Sequence, residues 1–306
     1  MKVGRRTVEI GNPDKVLFPD AGITKRDLAE YYRDVAPTLL PYAEGRPISM
    51  QRFPDGLDGE SFYQKDVPDY FPDWIHTERI EKQGGSLRQV VIDDAATLVY
   101  LADQACITPH AWLSRVDRIR NPDRMVFDFD PPGEDWRATF DEIRFAARTT
   151  ADVLREIGLV PFVQTSGSKG LHIHVPLDRE ADFDAVRRLA RALADLLARR
   201  HPERLTTEQR KAKRGDRVFL DVARNAYAQT AVLPYAVRAR PEASVATPLD
   251  WDELDRSDLD PRTYTVENVR RRLAQKDDPW KGIGRRARGI GGPREALEAL
   301  RDDETG

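Results

Sequence analysis

Met125-Val-Phe-Asp-Phe-Asp-Pro-Pro132 sets two carboxylates, Asp128 and Asp130, at the end of an apolar run that two prolines close. Side chains alternate across a strand, so Met125, Phe127 and Phe129 share one face and Val126, Asp128 and Asp130 the other. Pro131 and Pro132 lack the N–H that a sheet ladder needs, and the strand ends there. Two carboxylates side by side on one face repel each other unless positive charge stands between them. A divalent metal meets that need. A basic side chain also meets it, so an acidic strand end paired with arginines is the ordinary alternative.

Downstream, residues 137–157 place Phe140, Ile143, Ala147, Leu154 and Ile157 at helical spacing, and Gly158 stops the helix. A strand over 159–165 follows, then the loop Thr165-Ser-Gly-Ser-Lys-Gly170. In the next strand, 171–177, Leu171, Ile173 and Val175 alternate with His172 and His174. Residues 183–200 repeat Phe183, Val186, Leu189, Leu193 and Leu197 along one stripe, which predicts an amphipathic helix. The run 217–222 is a last strand, with Phe219 and Asp221 on one face. Strand, helix, strand, strand, helix, strand is the split βαβ order. Its first and third strands are central neighbours, so Asp128, Asp130, His172 and Asp221 are expected on a single sheet face. Three acids from two strands offer the hard oxygen ligands that magnesium and manganese take. Small residues and one lysine at 166–170 suit a triphosphate, although the glycine spacing is not that of a Walker motif.

Upstream, Thr24 and Asp27 form a capping-box-like start before Leu28, Tyr31, Tyr32 and Val35, which predicts a first helix. Lys25 then falls in the first turn, where backbone amides favour an anion rather than a cation. Phe62 and Tyr63 are adjacent in a short strand-like run, so one of them faces away from a core, and with Lys65 beside it such a ring suits stacking on a nucleobase. Asp94 caps a predicted helix through Leu98 and Leu101, and His110 lies just beyond Pro109.

The 306 residues are 40% hydrophobic, enough for a substantial core, and carry a net charge of −3. Bulk charge therefore does not announce nucleic acid, but eleven Lys or Arg against four acids between Arg199 and Arg240 make a local positive stripe. No stretch reaches the length of an apolar membrane span and the N-terminus lacks an apolar signal core, so a cytoplasmic protein without a membrane partner is expected. The single cysteine, Cys106, fits a reducing compartment and is expected as core filler.

Phe127-Asp-Phe-Asp-Pro131, Thr165-Ser-Gly-Ser-Lys-Gly-Leu-His172 and Val218-Phe-Leu-Asp221 resemble the three catalytic motifs of the archaeo-eukaryotic primase superfamily. More narrowly, Asn12-Pro-Asp-Lys-Val-Leu-Phe-Pro19, Arg52-Phe-Pro-Asp-Gly56 and Pro234-Tyr-Ala-Val-Arg-Ala-Arg240 resemble the polymerase domain of bacterial DNA ligase D, from about residue 7 to 280. The resemblance implies an α+β primase-like fold, with a split-βαβ (RRM-like) catalytic sheet packed against an N-terminal α/β module. It implies one primase-polymerase domain over 1–280, divided into an N-terminal module (1–120), a catalytic module (121–240) and a C-terminal wrap (241–280). A flexible basic tail over 281–306 is expected to follow, a linker that leads into a short polar helix. No ligase or nuclease segment accompanies the motifs, and a free-standing form in the bacterial nucleoid is the expectation.

By resemblance, Asp128, Asp130 and Asp221 would hold two Mn2+ or Mg2+ ions. Ser168, Lys169, His172, Arg238 and Arg52 would contact an NTP or dNTP, and His110 the incoming sugar. Lys15 and Lys25 would take the 5′-phosphate of a downstream strand, which accounts for the cation at the helix start. Phe62, Tyr63 and Lys65 would meet the template. Gln51 stands where some relatives have lysine, and His174 where some have an aromatic or aliphatic residue. The implied reaction is nucleotidyl transfer on gapped, overhanging or 5′-phosphorylated DNA in non-homologous end joining, with a DNA ligase and an end-binding protein as partners. A DNA-end bridging module with weak catalysis is the alternative. A haloacid-dehalogenase-type phosphatase also uses Asp-x-Asp, but it needs Thr or Val where this chain has Pro132.

Overall fold

The computed structural model describes residues 1–82, 84–133 and 135–303, and the side chains of all of these except Lys82 and Asp303. The chain folds into two units, each built from three separated segments.

The first unit comprises Met1–Asp117, Thr230–Thr247 and Arg262–Asp278. It opens with two small antiparallel pairs, β1 (Lys2–Val3) with β2 (Arg6–Thr7) and β3 (Val16–Phe18) with β4 (Ile23–Thr24). Helix α1 (Lys25–Ala43) starts on a true capping box: Thr24 accepts from the Asp27 N–H and Asp27 accepts from the Thr24 N–H. Its apolar stripe of Leu28, Tyr31, Tyr32, Val35 and Leu39 is buried, and the Tyr32 hydroxyl donates to the Ile107 carbonyl at 2.7 Å. Next come β5 (Arg46–Arg52), β6 (Phe62–Gln64), β7 (Thr77–Lys82), β8 (Gly85–Ile92), α2 (Ala95–Asp103), capped by Asp94, and β9 (Cys106–Trp112). Strand β5 is central to this sheet: β8 and β9 flank it, and β6 attaches beside its C-terminal end. Cys106 is a buried free thiol whose pKa burial pushes up to about 12, as expected of core filler.

The second unit comprises Arg118–Gln229, Pro248–Pro261 and Pro279–Gly306. In it β10 (Arg124–Asp130), α3 (Phe140–Glu156), β11 (Phe162–Thr165), β12 (Leu171–Pro176), α4 (Phe183–Arg200), β13 (Leu205–Thr206) and β14 (Val218–Asp221) follow the expected split βαβ order. The four main strands lie in the order β14-β10-β12-β11, all antiparallel, with α3 and α4 against β10 and β12. The predicted helix over 183–200 matches α4 to the residue; Asp182 caps it, accepting from the Ala185 N–H at 2.7 Å. Buried Asn225 finishes the sheet where β14 stops. Its side chain accepts from the Val126 N–H at 2.8 Å and donates to the Val126 carbonyl at 2.7 Å, as a strand neighbour would.

The last third of the chain departs from a continuous wrap. Strand β15 (Thr230–Val232) pairs with β9 in the first unit, so Arg238 belongs there and not to the split-βαβ unit. Strand β16 (Pro248–Leu249) then extends the other sheet beside β11, and the short helix α5 (Val269–Gln275) returns to the first unit. The expected flexible tail over 281–306 is largely helical: a 3-10 turn spans Ile283–Arg286 and α6 spans Gly291–Asp303, while 304–306 lie outside the described residues. The physical reason is burial. Leu297 is enclosed where α6 lies against α4, and just before the tail Trp280 is fully buried, its indole N–H donating to the Val163 carbonyl at 3.0 Å. Among the described residues, no helix is long and apolar enough to cross a membrane.

Candidate active site

Strand register draws the predicted chemistry into one line. Asp128 on β10 lies opposite Asp221 on β14 and His172 on β12, and His172 lies opposite Gln164 on β11. Directly paired residues share a face, so Gln164, His172, Asp128 and Asp221 form a row across four strands. Asp130, two residues along β10, joins the same face opposite Phe219. His172 Nε2 stands 3.2 Å from Asp128 Oδ1. On the far side, the Gln164 amide reaches His172 Nδ1 at 3.4 Å. The ring thus turns Nδ1 to the amide and Nε2 to the carboxylate.

The acids crowd one another. Burial, then Asp128, then Asp221 push the Asp130 carboxyl up to about 6, against the opposing pull of Arg214 and His172. Arg214 Nη1 approaches Asp130 Oδ2 at 3.6 Å while the guanidinium lies over the Phe219 ring. Asp221 Oδ1 accepts the Ala223 N–H at 2.7 Å. Among the described residues, no group of three or more His, Cys, Asp or Glu side chains closes into a metal cage. The donor set nevertheless fits a divalent ion: three carboxylates share a face, and after burial the charges of Asp128 and Asp221 help to raise Asp130.

The loop 165–170 is tied beneath this face. Ser166 Oγ accepts the N–H groups of Ser168 and Gly170, each at 3.1 Å, and the Ser166 N–H donates to the Gly170 carbonyl at 2.9 Å. Gly170 has no room for a side chain, since a Cβ there would stand 2.2 Å from the Phe129 carbonyl oxygen. Gly170 thus rests against the backbone between Asp128 and Asp130, and Ser168 and Lys169, just before it in the loop, are half-buried. His174 is different. It is buried in the core, its ring centroid 4.9 Å from that of Trp280.

The other predicted contacts lie in the first unit. Lys15 and Lys25 come together because the Lys25 N–H donates to the Lys15 carbonyl at 2.8 Å. Each has a protein anion: Lys15 Nζ meets Asp55 at 2.9 Å and Lys25 Nζ meets Asp103 at 3.4 Å. The cation at the helix start is thereby matched by an acid 78 residues away, which sequence spacing does not reveal. His110, half-buried on β9, lies opposite Ser49 and Val232, and its ring is 5.6 Å from that of Tyr63. Arg238 is half-buried and its N–H donates to the Ser244 carbonyl at 2.7 Å. Lys65 is exposed. Arg52 has its guanidinium bound to the Gln104 carbonyl, Gln104 Oε1, Gln64 Oε1 and the Tyr70 hydroxyl, so it buttresses β6.

Three contributors escaped the sequence motifs: Gln164, Arg214 and Asn225. Only Gln164 left a usable signal, because a hairpin closed at Thr165 and Leu171 pairs it with His172.

Comparison with known proteins agrees with this geometry. The family model described as the LigD primase-polymerase domain matches residues 24–280. The multifunctional non-homologous end joining DNA repair protein LigD of Mycobacterium tuberculosis is 35% identical over 279 residues, 89% of this chain and 36% of that protein. The bifunctional non-homologous end joining protein LigD of Bacillus subtilis is 31% identical over 268 residues, 87% of this chain and 42% of that protein. The chain therefore spans less than half the length of these curated relatives. Among solved structures, the polymerase domain of Mycobacterium tuberculosis ligase D in complex with DNA matches with a TM-score of 0.85 and 32% identity, covering 92% of this chain and 99% of that one. With catalytic motifs, split-βαβ sheet and family model coinciding over most of its length, the chain belongs to the LigD primase-polymerase domain family.

Proposed function

We propose that this protein is a primase-like repair polymerase that fills gaps or extends ends in non-homologous end joining, using nucleoside triphosphates and a DNA template. The observation that carries the reading is the row of Asp221, Asp128 and His172, with Asp130 on the same face held up to about 6 by burial and then by its fellow acids. Such a face binds what neutralises it. Asp128, Asp130 and Asp221 hold Mn2+ or Mg2+, which when bound supplies charge neutralisation to the attacking and leaving oxygens of an in-line phosphoryl displacement. In the overall reaction a primer 3′-oxygen bonds to the α-phosphorus of the nucleotide, and the bond to the pyrophosphate oxygen breaks.

The chain's own residues bind and orient. Ser168, Lys169, His172 and Arg238 take the triphosphate, His172 donating from Nε2, and His110 takes the sugar. Lys15 and Lys25 exchange Asp55 and Asp103 for the 5′-phosphate of a downstream strand. Phe62, Tyr63 and Lys65 meet the template. A ligase and an end-binding protein are the partners this chemistry calls for, in a cytoplasmic setting consistent with one buried, reduced cysteine.

Primer extension on a gapped duplex with a 5′-phosphate, run with each metal and with ribo- and deoxynucleotides, tests the reading. Asp128→Ala is expected to lower extension by at least about a hundredfold while DNA binding persists. Extension by that variant at the wild-type rate would remove the metal assignment. Tight binding by the wild-type protein without any extension would favour an end-bridging module instead.

A further inference from the structure

Three of the largest exposed apolar side chains sit close together in the first unit: Phe62 at 45%, Tyr63 at 59% and Tyr70 at 62% exposure. They do not form one face. Tyr63 lies opposite Gln51 and turns toward His110, whereas Phe62 lies opposite Arg52 and turns the other way, as alternation along β6 requires. On that second side, the Arg52 guanidinium stands 5.6 Å from the centre of the Phe62 ring and donates to the Tyr70 hydroxyl at 3.0 Å.

The charge on this second side is unbalanced. A guanidinium is always protonated, yet all four acceptors around Arg52 are neutral: the Gln104 carbonyl at 2.8 Å, Gln104 Oε1 at 3.3 Å, Gln64 Oε1 at 2.6 Å and the Tyr70 hydroxyl. Neither Arg52 nor nearby Lys65 forms an ion pair among the described residues. Two acids that follow Lys65 are engaged elsewhere: Asp66 accepts the Arg88 N–H at 2.8 Å, and Asp69 lies 3.6 Å from the Arg88 guanidinium.

The rings are also braced. Tyr70 packs 5.3 Å from Phe71, a buried ring that meets Tyr100 edge-on at 5.0 Å, and Tyr100 in turn meets Trp74 at 5.8 Å. A braced Tyr70 and an exposed Phe62 around an unneutralised cation fit a ligand that is both anionic and flat-faced. An acidic peptide would answer the charge but leave the rings bare.

We propose that Arg52, Phe62 and Tyr70 form a stacking site for unpaired bases of a DNA single strand, separate from the Tyr63 and His110 side of the same edge strand. The inference deepens the DNA-binding part of the proposed function. It assigns Arg52 a place in a nucleobase platform in place of the triphosphate contact that the resemblance implies.

The test is equilibrium binding of the full chain, without metal or triphosphate, to a duplex bearing an oligothymidine overhang and to the same duplex made blunt. Tyr70→Ala is expected to weaken overhang binding by about tenfold, the effect of losing one stacked base, and to leave blunt-duplex binding unchanged. Tyr70→Phe keeps the ring without its hydroxyl and is expected to bind the overhang like the wild type. Wild-type affinity in the alanine variant would overturn the proposal, as would an equal loss in the phenylalanine variant. Stronger competition by oligoglutamate than by oligothymidine for the wild-type protein would assign the site to an acidic peptide and also overturn it. Because the assay contains no nucleotide, a failure of primer extension leaves this result standing, and the two readings fail separately.

Discussion

Gly170→Ala is the smallest change that should injure the acidic face. A Cβ at this position would stand 2.2 Å from the Phe129 carbonyl oxygen, whereas side-chain carbons essentially never come nearer than 3.0 Å. Both partners are backbone, so rotation of a side chain cannot relieve the clash. Loop 165–170 or the end of β10 must move by about 1 Å. Phe129 lies between Asp128 and Asp130, so either movement displaces the two carboxylates relative to Ser168 and Lys169. Misplacing reacting groups by about 1 Å costs roughly a hundredfold in rate, and overpacking costs about 1–3 kcal/mol of stability. Single-turnover extension of a gapped primer should therefore fall about a hundredfold, with a melting temperature lower by only a few degrees and unchanged DNA binding. Wild-type turnover in the alanine variant would refute the claim that this close approach sets the acids.

Three further outcomes follow from the same geometry. Gln164→Leu removes the amide that meets His172 Nδ1 and also a buried, unpartnered Oε1. It should lower kcat by about tenfold while stability holds or rises, and a variant with normal kcat would show that His172 needs no such support. Asp130 keeps its proton to about 6 in the folded protein against 3.8 ordinarily. Between those values the native state binds more protons, so metal-free stability falls as pH rises through that window. The gain in melting temperature on adding manganese should accordingly grow from about pH 4 to about pH 7, and equal gains at both ends would contradict it. Replacing both Lys15 and Lys25 with alanine should erase the preference for a 5′-phosphorylated gap and reduce the salt slope of binding by roughly one to two; a preference that survives would exclude both lysines.

Much of the second unit was legible because its signals are local. Strict alternation through 125–130, 171–176 and 218–221 reveals which side chains share a face, and the stripe from Phe183 to Leu197 reads as a helix without help from tertiary structure. Register is less local: Gln164 joins the row only because the hairpin closes between Thr165 and Leu171. Long-range partners were not legible at all. The acid that steadies Lys25 lies on the far end of α2, the groups that occupy Arg52 come from Gln64, Tyr70 and Gln104, and Asn225 completes β10 from 99 residues away. The tail reads as a flexible basic linker before a short polar helix, and what spacing did not reveal is that a buried leucine, Leu297, anchors that helix.

The interleaved segments bear on how the protein is made. The chain passes between its two units five times, and the first unit reaches Asp278, which accepts hydrogen bonds from Tyr42 and Tyr235. Vectorial synthesis on the ribosome therefore cannot finish the first unit early: its core stays open until residue 278 has emerged. Neither unit has all its segments until residues 262–278 and those from 279 onward are made, and a premature stop near residue 240 would leave both of them incomplete and not just the later one.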